Sequence, residues 1–194
     1  MATAPEKGFF EVDENVRDYI EMCEGIDGRL LIGILKNHLP TGSKLLEIGM
    51  GPGKDLDILG EFYDVTGSDS SQVFLDLYQA RRPQSDLLLL DASNLKTDRR
   101  FDCIYSNKVL HHLRREDLPR SIERQKELLH PGGLILHTFW RGDEEENFQD
   151  LRFVKYETDS LVDIVSQSFV IVDHGYYEEM NQADSIFIIG RRLK

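Results

Sequence analysis

The chain reads as an α/β fold: an open, mostly parallel β-sheet with helices on both faces, closed at its end by an antiparallel hairpin. Three observations predict this. Short apolar runs alternate with amphipathic segments between Lys44 and Trp140, as right-handed βαβ units require. Pro and Gly punctuate the segments. The last two apolar runs are joined by a polar link with no room for a crossover helix, so they must be antiparallel.

The elements follow in order. Val16, Tyr19 and Ile20, then Leu30, Leu31, Ile34 and Leu35, recur at helical spacing with a break at Gly25 and Gly28. This predicts two helices, or one kinked helix, before Pro40-Thr41-Gly42. Strands are expected at Lys44–Gly49, Asp64–Ser68, Leu87–Leu90, Phe101–Ser106 and Leu134–Trp140. Helices are expected at Lys54–Glu61, Ser71–Arg82 and Arg115–Leu129, the last ended by Pro131-Gly132-Gly133. In the tail, Asp159–Ser168 reads as a helix capped by Thr158, with strands at Phe169–Asp173 and Ile186–Gly190. The division expected is one domain: helical cap 1–40, core 41–140, and lid segment, helix and hairpin 141–194.

Composition bounds the function. Among 194 residues, 23 basic and 35 acidic side chains give a formal net charge of −12, and the basic residues are scattered or paired with acids. Tight nucleic-acid binding needs several Lys or Arg on one face, so no nucleic-acid partner is expected. No apolar run is long enough to span a bilayer, and the opening MATAPEKGFF lacks the order of a secretory signal, so a cytoplasmic protein off the membrane is expected. Cys23 and Cys103 have no metal-ligand spacing and read as reduced thiols, Cys103 within a buried strand. The acidic run Asp143-Glu144-Glu145-Glu146 lacks spaced metal ligands and reads as a solvated turn.

The chemistry belongs at the carboxyl ends of the strands, where open parallel sheets bind ligands. Four apolar runs each deliver polar or glycine residues there: Glu47-Ile48-Gly49-Met50-Gly51-Pro52-Gly53, Gly67-Ser68-Asp69, Leu90-Asp91-Ala92 and Ser106-Asn107. Gly49, Gly51 and Gly53 permit positive φ and close backbone approach, either for a ligand or for a tight turn. Their Gly-x-Gly-x-Gly spacing departs from the dinucleotide fingerprint, whose last glycine would fall at Lys54, and Pro52 removes an amide that pyrophosphate would use. A phosphate-poor ligand such as an adenosyl amino acid fits better. Asp69, twenty residues after Gly49, suits ribose hydroxyls or caps the next helix. Asp91 suits an adenine amino group or a loop turn, with Leu90 and Ala92 forming an apolar slot. Glu47, a carboxylate at the end of an apolar strand, needs a partner: backbone amides or the ammonium of an amino-acid ligand.

Together these residues resemble the motifs of the class I S-adenosylmethionine-dependent methyltransferases, in order and spacing from about residue 43 to 140. Leu45-Leu46-Glu47-Ile48-Gly49-Met50-Gly51-Pro52-Gly53 resembles the first motif, with Met50 where a small or polar residue is common. Asp69 and Asp91-Ala92 match the ribose and adenine positions. Phe101 to Leu113 is similar to the fourth-strand motif, and Leu129-His130-Pro131-Gly132-Gly133-Leu134 to the approach to the fifth strand. The resemblance implies a Rossmann-like seven-stranded sheet with a C-terminal antiparallel strand. It implies S-adenosyl-L-methionine as cofactor, held by Glu47, Gly49, Met50, Gly51, Gly53, Asp69, Ser70, Asp91, Ala92, Ser106 and Asn107. The short chain, with no Asn-Pro-Pro-Tyr-type run after the fourth strand, resembles the small-molecule branch, with S-adenosyl-L-homocysteine as product and a homodimer as one assembly.

Such a cofactor brings an activated methyl group, leaving the protein to position the acceptor, which contributes about 7–11 kcal/mol. A general base is needed only for a protonated acceptor; His112 is the candidate, with His111, Tyr19 and Trp140 on the substrate side. Each has a bland alternative: a packed or solvated imidazole, an anchoring aromatic, a core tryptophan. Two other functions compete: a cofactor-binding partner subunit without catalysis, and a nicotinamide-dependent oxidoreductase on a similar sheet.

Overall fold

The computed structural model describes residues 9–22, 24–148 and 151–193, so the expectation for Cys23 lies outside the described residues. A 3₁₀ turn at Phe9–Glu11 leads into α1 (Asp13–Met22) and α2 (Arg29–Leu35), two separate helices broken at 24–28. The core follows as β1 (Lys44–Ile48), α3 (Lys54–Leu59), β2 (Asp64–Asp69), α4 (Gln72–Arg81), β3 (Leu87–Leu89) and β4 (Phe101–Ser106). Then come α5 (Leu118–Leu128), β5 (Leu129–Trp140), β6 (Glu145–Phe148), β7 (Leu151–Val154), α6 (Thr158–Ser166), β8 (Val170–Tyr177) and β9 (Ser185–Arg191).

Seven strands form one sheet in the order β3-β2-β1-β4-β5-β9-β8. Pairings among β1 to β5 are parallel, while β9 runs antiparallel to both β5 and β8. The two-residue side-chain period of a strand assigns each position to a face. Leu46, Ile104 and Ile135 enter a core shared with Ile122, Leu161 and Val165 of α5 and α6. Their neighbours Leu45, Cys103 and Leu134 enter the opposite core with Leu31, Ile32 and Leu35 of α2. With both faces covered, the parallel strands read as continuous apolar runs rather than as alternation, which made them legible.

Strand order reverses between β1 and β4, so the loops after these two strands splay apart and leave a crevice at the carboxyl edge. The glycine loop follows β1; residues 107–112 follow β4.

Four expectations change. The acidic run Asp143-Glu144-Glu145-Glu146 is not only a turn: Glu145 and Glu146 open β6, which pairs antiparallel with β7 in a hairpin outside the main sheet. Lys155 screens this run, lying 2.9 Å from Glu146 and 3.8 Å from Glu144. Thr158 is not the cap of α6; Glu157 takes that position, and the Thr158 hydroxyl donates to the Tyr176 hydroxyl at 2.9 Å. The fifth strand begins at Leu129, which pairs with Phe101 before a register shift, so the Pro131-Gly132-Gly133 stretch is an irregularity inside the strand. The charged helix starts at Leu118 rather than Arg115, with a proline in its first turn. Among the described residues no helix is long and apolar enough to cross a membrane.

A buried polar chain crosses the core beside α5. The Gln125 side-chain oxygen lies 2.7 Å from His137 Nε2, which must donate to it, so Nδ1 accepts from the Ser106 hydroxyl at 2.8 Å. Burial lowers the His137 pKa to about 3. An unfolded histidine titrates near 6.5, so below that pH the unfolded chain takes up a proton that the native imidazole refuses. Native stability therefore declines on acidification through this group and is unaffected by it above neutrality. In urea titrations, the stability advantage of wild type over His137→Gln should shrink by about 1–2 kcal/mol between pH 7 and pH 5. A difference that stays constant with pH would refute this account.

Candidate active site

A cavity of about 450 Å³ opens at the β1/β4 reversal. One end is walled by Glu47, Gly49, Met50, Gly51, Pro52 and Asp55 from β1, its loop and α3. The other is walled by Asn107, Lys108, His111, His112 and Trp140 beyond β4 and β5. Tyr19 and Met22 of α1, Phe148, Leu151 and Phe153 of the β6–β7 hairpin, and Glu179 and Met180 before β9 complete the enclosure.

The three glycines of the loop do different work. All have positive φ, at 66°, 49° and 79° for Gly49, Gly51 and Gly53. A Cβ on Gly53 would meet the Tyr78 ring at 2.1 Å, and one on Gly49 would meet Val109 at 2.5 Å, so packing demands glycine at both. A Cβ on Gly51 meets nothing within 4 Å; its missing side chain leaves backbone open to the cavity. Met50 is buried against Leu56, Leu75 and Tyr78, holding the loop from beneath.

Glu47 is 3% exposed, and its Oε2 is buried without a hydrogen-bond partner. Burial, then the nearby Asp55, Asp69 and Asp57, raises its pKa well above the usual carboxylate value. Asp55 is also buried but fully engaged. It accepts from the Gly28 amide at 2.6 Å, the Tyr105 hydroxyl at 2.7 Å and the Asn107 amide at 3.1 Å. Asn107 in turn accepts from the Thr138 hydroxyl at 2.7 Å. Asn107 is thus locked by its side chain and presents its remaining surface to the cavity.

The other predicted cofactor residues sit at the same sheet edge without lining the cavity. Asp69, 7% exposed, accepts from the Gly51 amide and the Ser71 amide, each at 2.9 Å, and so fastens the glycine loop to β2. Burial raises its pKa, while those backbone amides pull it down. Ser71, not Asp69, caps α4, and its hydroxyl donates to the Phe10 carbonyl at 2.5 Å. Ser70 and Asp91 are exposed, Asp91 holding a turn through the Ser93 amide and Asn94. Ala92 packs against the core and accepts from the Ser121 hydroxyl. Ser106 points into the buried His137 chain, away from the cavity.

On the far side, the imidazole of His112 donates Nδ1–H to the Arg152 carbonyl at 2.6 Å, since a carbonyl only accepts. That leaves Nε2 as the lone-pair nitrogen. His111 is 2% exposed, stacked on Phe153 at 5.4 Å, and neither ring nitrogen has a partner. Burial lowers both pKa values, that of His111 well below the usual range, so both rings are neutral at physiological pH. Tyr19 packs edge-on to Phe10 and Phe74. Trp140, half-buried, carries Lys108 Nζ 3.2 Å from its ring centroid.

Sequence reasoning missed Asp55, Lys108, Phe153 and Glu179. Asp55 and Lys108 had a visible signal: Asp55 lies two residues beyond the first motif and Lys108 lies inside the fourth-strand motif. Phe153 and Glu179 had none, because long-range packing brings them to the crevice.

Comparison with known proteins adds the family. The family described as "Methyltransferase domain" matches residues 19–168. The chain belongs to this family. The sheet order, the loop after β1 and the crevice agree with the class I S-adenosylmethionine-dependent methyltransferases, enzymes that share this cofactor. The tRNA (carboxymethyluridine(34)-5-O)-methyltransferase of Macaca fascicularis is 31% identical over 149 residues, covering 76% of this chain and 20% of its own. The phosphoethanolamine N-methyltransferase of Plasmodium falciparum is 26% identical over 177 residues, 82% of this chain and 66% of its own. The chain spans only 18% to 26% of the length of the three tRNA-methyltransferase relatives it matches. Among solved structures, the 1,6-didemethyltoxoflavin-N1-methyltransferase of Burkholderia thailandensis superposes with a TM-score of 0.76 at 19% identity. That match covers 100% of this chain and 94% of that one. The N-methyltransferase NodS of Bradyrhizobium japonicum gives 0.73 at 15%, covering 95% and 100%.

Within this methyltransferase-family chain, Asp55 is the tie between the two walls of the crevice. Asp55→Ala leaves the Gly28 amide, Tyr105 hydroxyl and Asn107 amide without their acceptor, so it should lower the unfolding free energy by about 3 kcal/mol. A denaturation midpoint equal to wild type would show that the tie contributes nothing.

Proposed function

We propose that the protein transfers a methyl group from S-adenosylmethionine to a small-molecule acceptor held between Lys108, His111 and Trp140. The observation that carries this reading is Glu47: a buried carboxylate oxygen without a partner, facing the cavity beside an open glycine backbone. Leaving it alone costs stability, and an ammonium group is the natural complement. The residues present fit an adenosyl amino acid. Glu47 would hold its ammonium and the Gly49–Gly51 backbone would lie against it. Asp69 retains carboxylate lone pairs for ribose hydroxyls beyond the two amides it already accepts. Asp91 and Ala92 mark the adenine end.

When bound, the cofactor supplies a methyl group already activated on a sulfonium. The chain then has to orient and desolvate the acceptor. Tyr19, Phe148 and Phe153 enclose that space, and Trp140 forms its wall. His112, kept neutral with Nδ1–H committed to the Arg152 carbonyl, leaves its Nε2 lone pair free, but burial makes it a weak base for an acceptor that arrives protonated.

Charge favours a small acceptor over RNA, although relatives are named for tRNA. The net charge of −12 and the acidic Asp18, Asp27 and Glu179 along the cavity, against Lys54 and Lys108, repel a phosphodiester chain. The rival reading of a non-catalytic partner subunit fails if any acceptor is methylated.

Calorimetry with S-adenosylhomocysteine tests the cofactor assignment and has a distinctive signature. Glu47 titrates high in the free protein, so pairing it with an ammonium group lowers its pKa and releases a proton. At mildly acidic pH the binding enthalpy should depend on the ionisation enthalpy of the buffer, and Glu47→Gln should remove that dependence and weaken binding about tenfold or more. Buffer-independent heats in wild type, or unaltered affinity in the variant, would remove Glu47 from the site.

A further inference from the structure

We infer that the acceptor presents a carboxylate, that Lys108 is the group that holds it, and that the product is a methyl ester. This deepens the reading of the cavity as a methyl-transfer site and rests on it.

Lys108 is placed with unusual care. It stands two residues beyond β4, at the strand-order reversal, and its backbone has φ of 55°. Three described non-glycine residues have positive φ; of these only Lys108 lines the cavity. Such a backbone is strained for a non-glycine residue and persists only where its surroundings impose it. Here the Lys108 amide donates to the Thr138 hydroxyl at 2.9 Å.

The ammonium group is enclosed yet incompletely matched. The Lys108 side chain is 12% exposed. Nζ donates to Ser185 Oγ at 2.6 Å, while the Ser185 hydroxyl donates to Asp184, and it sits over the Trp140 ring. Its facing carboxylate, Glu179, lies at 3.5 Å, beyond the roughly 2.7–2.9 Å of a closed charge-assisted hydrogen bond. Glu179 therefore neutralises the cation at arm's length, standing where a better-placed carboxylate would sit.

His111 supplies the second feature. Its buried ring lines the cavity with both nitrogens unpartnered, so one N–H awaits an acceptor atom. A carboxylate satisfies Lys108 with one oxygen and His111 with the other. An ammonium acceptor would be set against the Lys108 cation. A hydroxyl acceptor would need a base, and burial makes both imidazoles weak ones.

A carboxylate needs none. Its oxygen forms the new bond to the methyl carbon while the carbon–sulfur bond breaks, the electron pair going to sulfur. The negative charge on oxygen and the positive charge on sulfur cancel, and no proton moves.

Trp140 is the only tryptophan, so its emission reports on Lys108 directly. The test is a fluorescence titration of the protein with S-adenosylhomocysteine bound. The probes are phenylacetate, phenylacetamide and phenethylamine, then succinate, succinamide and 1,4-diaminobutane. The carboxylates should perturb the emission, and amides and amines should bind at least about tenfold more weakly. Lys108→Met should abolish the carboxylate response. Glu179→Gln, by removing the internal competitor, should tighten carboxylate binding about threefold or more, which a merely structural ion pair does not predict. With methyl-labelled cofactor, label transferred to a bound acid should be released by mild base as methanol. Preference for amines, no carboxylate response in protein that binds S-adenosylhomocysteine, an unchanged Lys108→Met, or no gain in Glu179→Gln overturns the proposal. Failure of wild type to bind S-adenosylhomocysteine would instead overturn the methyl-transfer reading beneath it.

Discussion

The carboxylate of Asp55 accepts three hydrogen bonds from two distant parts of the chain: the Gly28 amide at the start of α2, and the Tyr105 hydroxyl within β4 with the Asn107 amide just beyond it. Asp55 itself lies in the first turn of α3, two residues past the glycine loop. A buried charge is tolerated only when its lone pairs are satisfied, so these segments have little freedom to separate. This junction ties together the two walls of the crevice between β1 and β4. Asp69 acts similarly on the other flank, gripping the Gly51 amide and the turn into α4. Two carboxylates thus hold the loop from both sides, and the Oε2 atom of Glu47 between them is left without a partner.

That arrangement divides the cavity electrically. Glu47 and Asp55 place two carboxyl groups at the glycine-loop end. Across the cavity, burial keeps His111 and His112 uncharged, and the Lys108 pKa falls to about 8 through burial despite the pull of Glu179 and Asp184. The two ends therefore differ in charge, although the Asp55–Asn107 hydrogen bond joins their walls.

The sheet and its site edge were legible because the pattern that encodes them is local. Strands buried on both faces appear as uninterrupted apolar runs, and Leu45-Leu46 or Cys103-Ile104 feed opposite cores merely by adjacency. Glu47, Gly51, Asn107 and His111 were legible for the same reason, since each ends or directly follows such a run. Ser106 and Asp91 also follow runs, yet one turns into a buried polar chain and the other into a surface turn; strand-end position does not dictate side-chain direction. The β6–β7 hairpin escaped notice because β6 is exposed throughout and opens with two glutamates, so no burial pattern marks it. Its contribution of Phe153 to the His111 ring depends on how the hairpin docks, a tertiary fact that local spacing does not carry.

The position of β9 has a consequence for biosynthesis. This strand is inserted between β5 and β8, both made earlier. While the ribosome is still adding residues 185–191, the edge of β5 has its backbone donors and acceptors unmatched and β8 lacks its sheet neighbour. Such an edge is a template for pairing with other chains. The nascent polypeptide is thus most prone to intermolecular association just before β9 emerges, and chaperone demand should be greatest at that point.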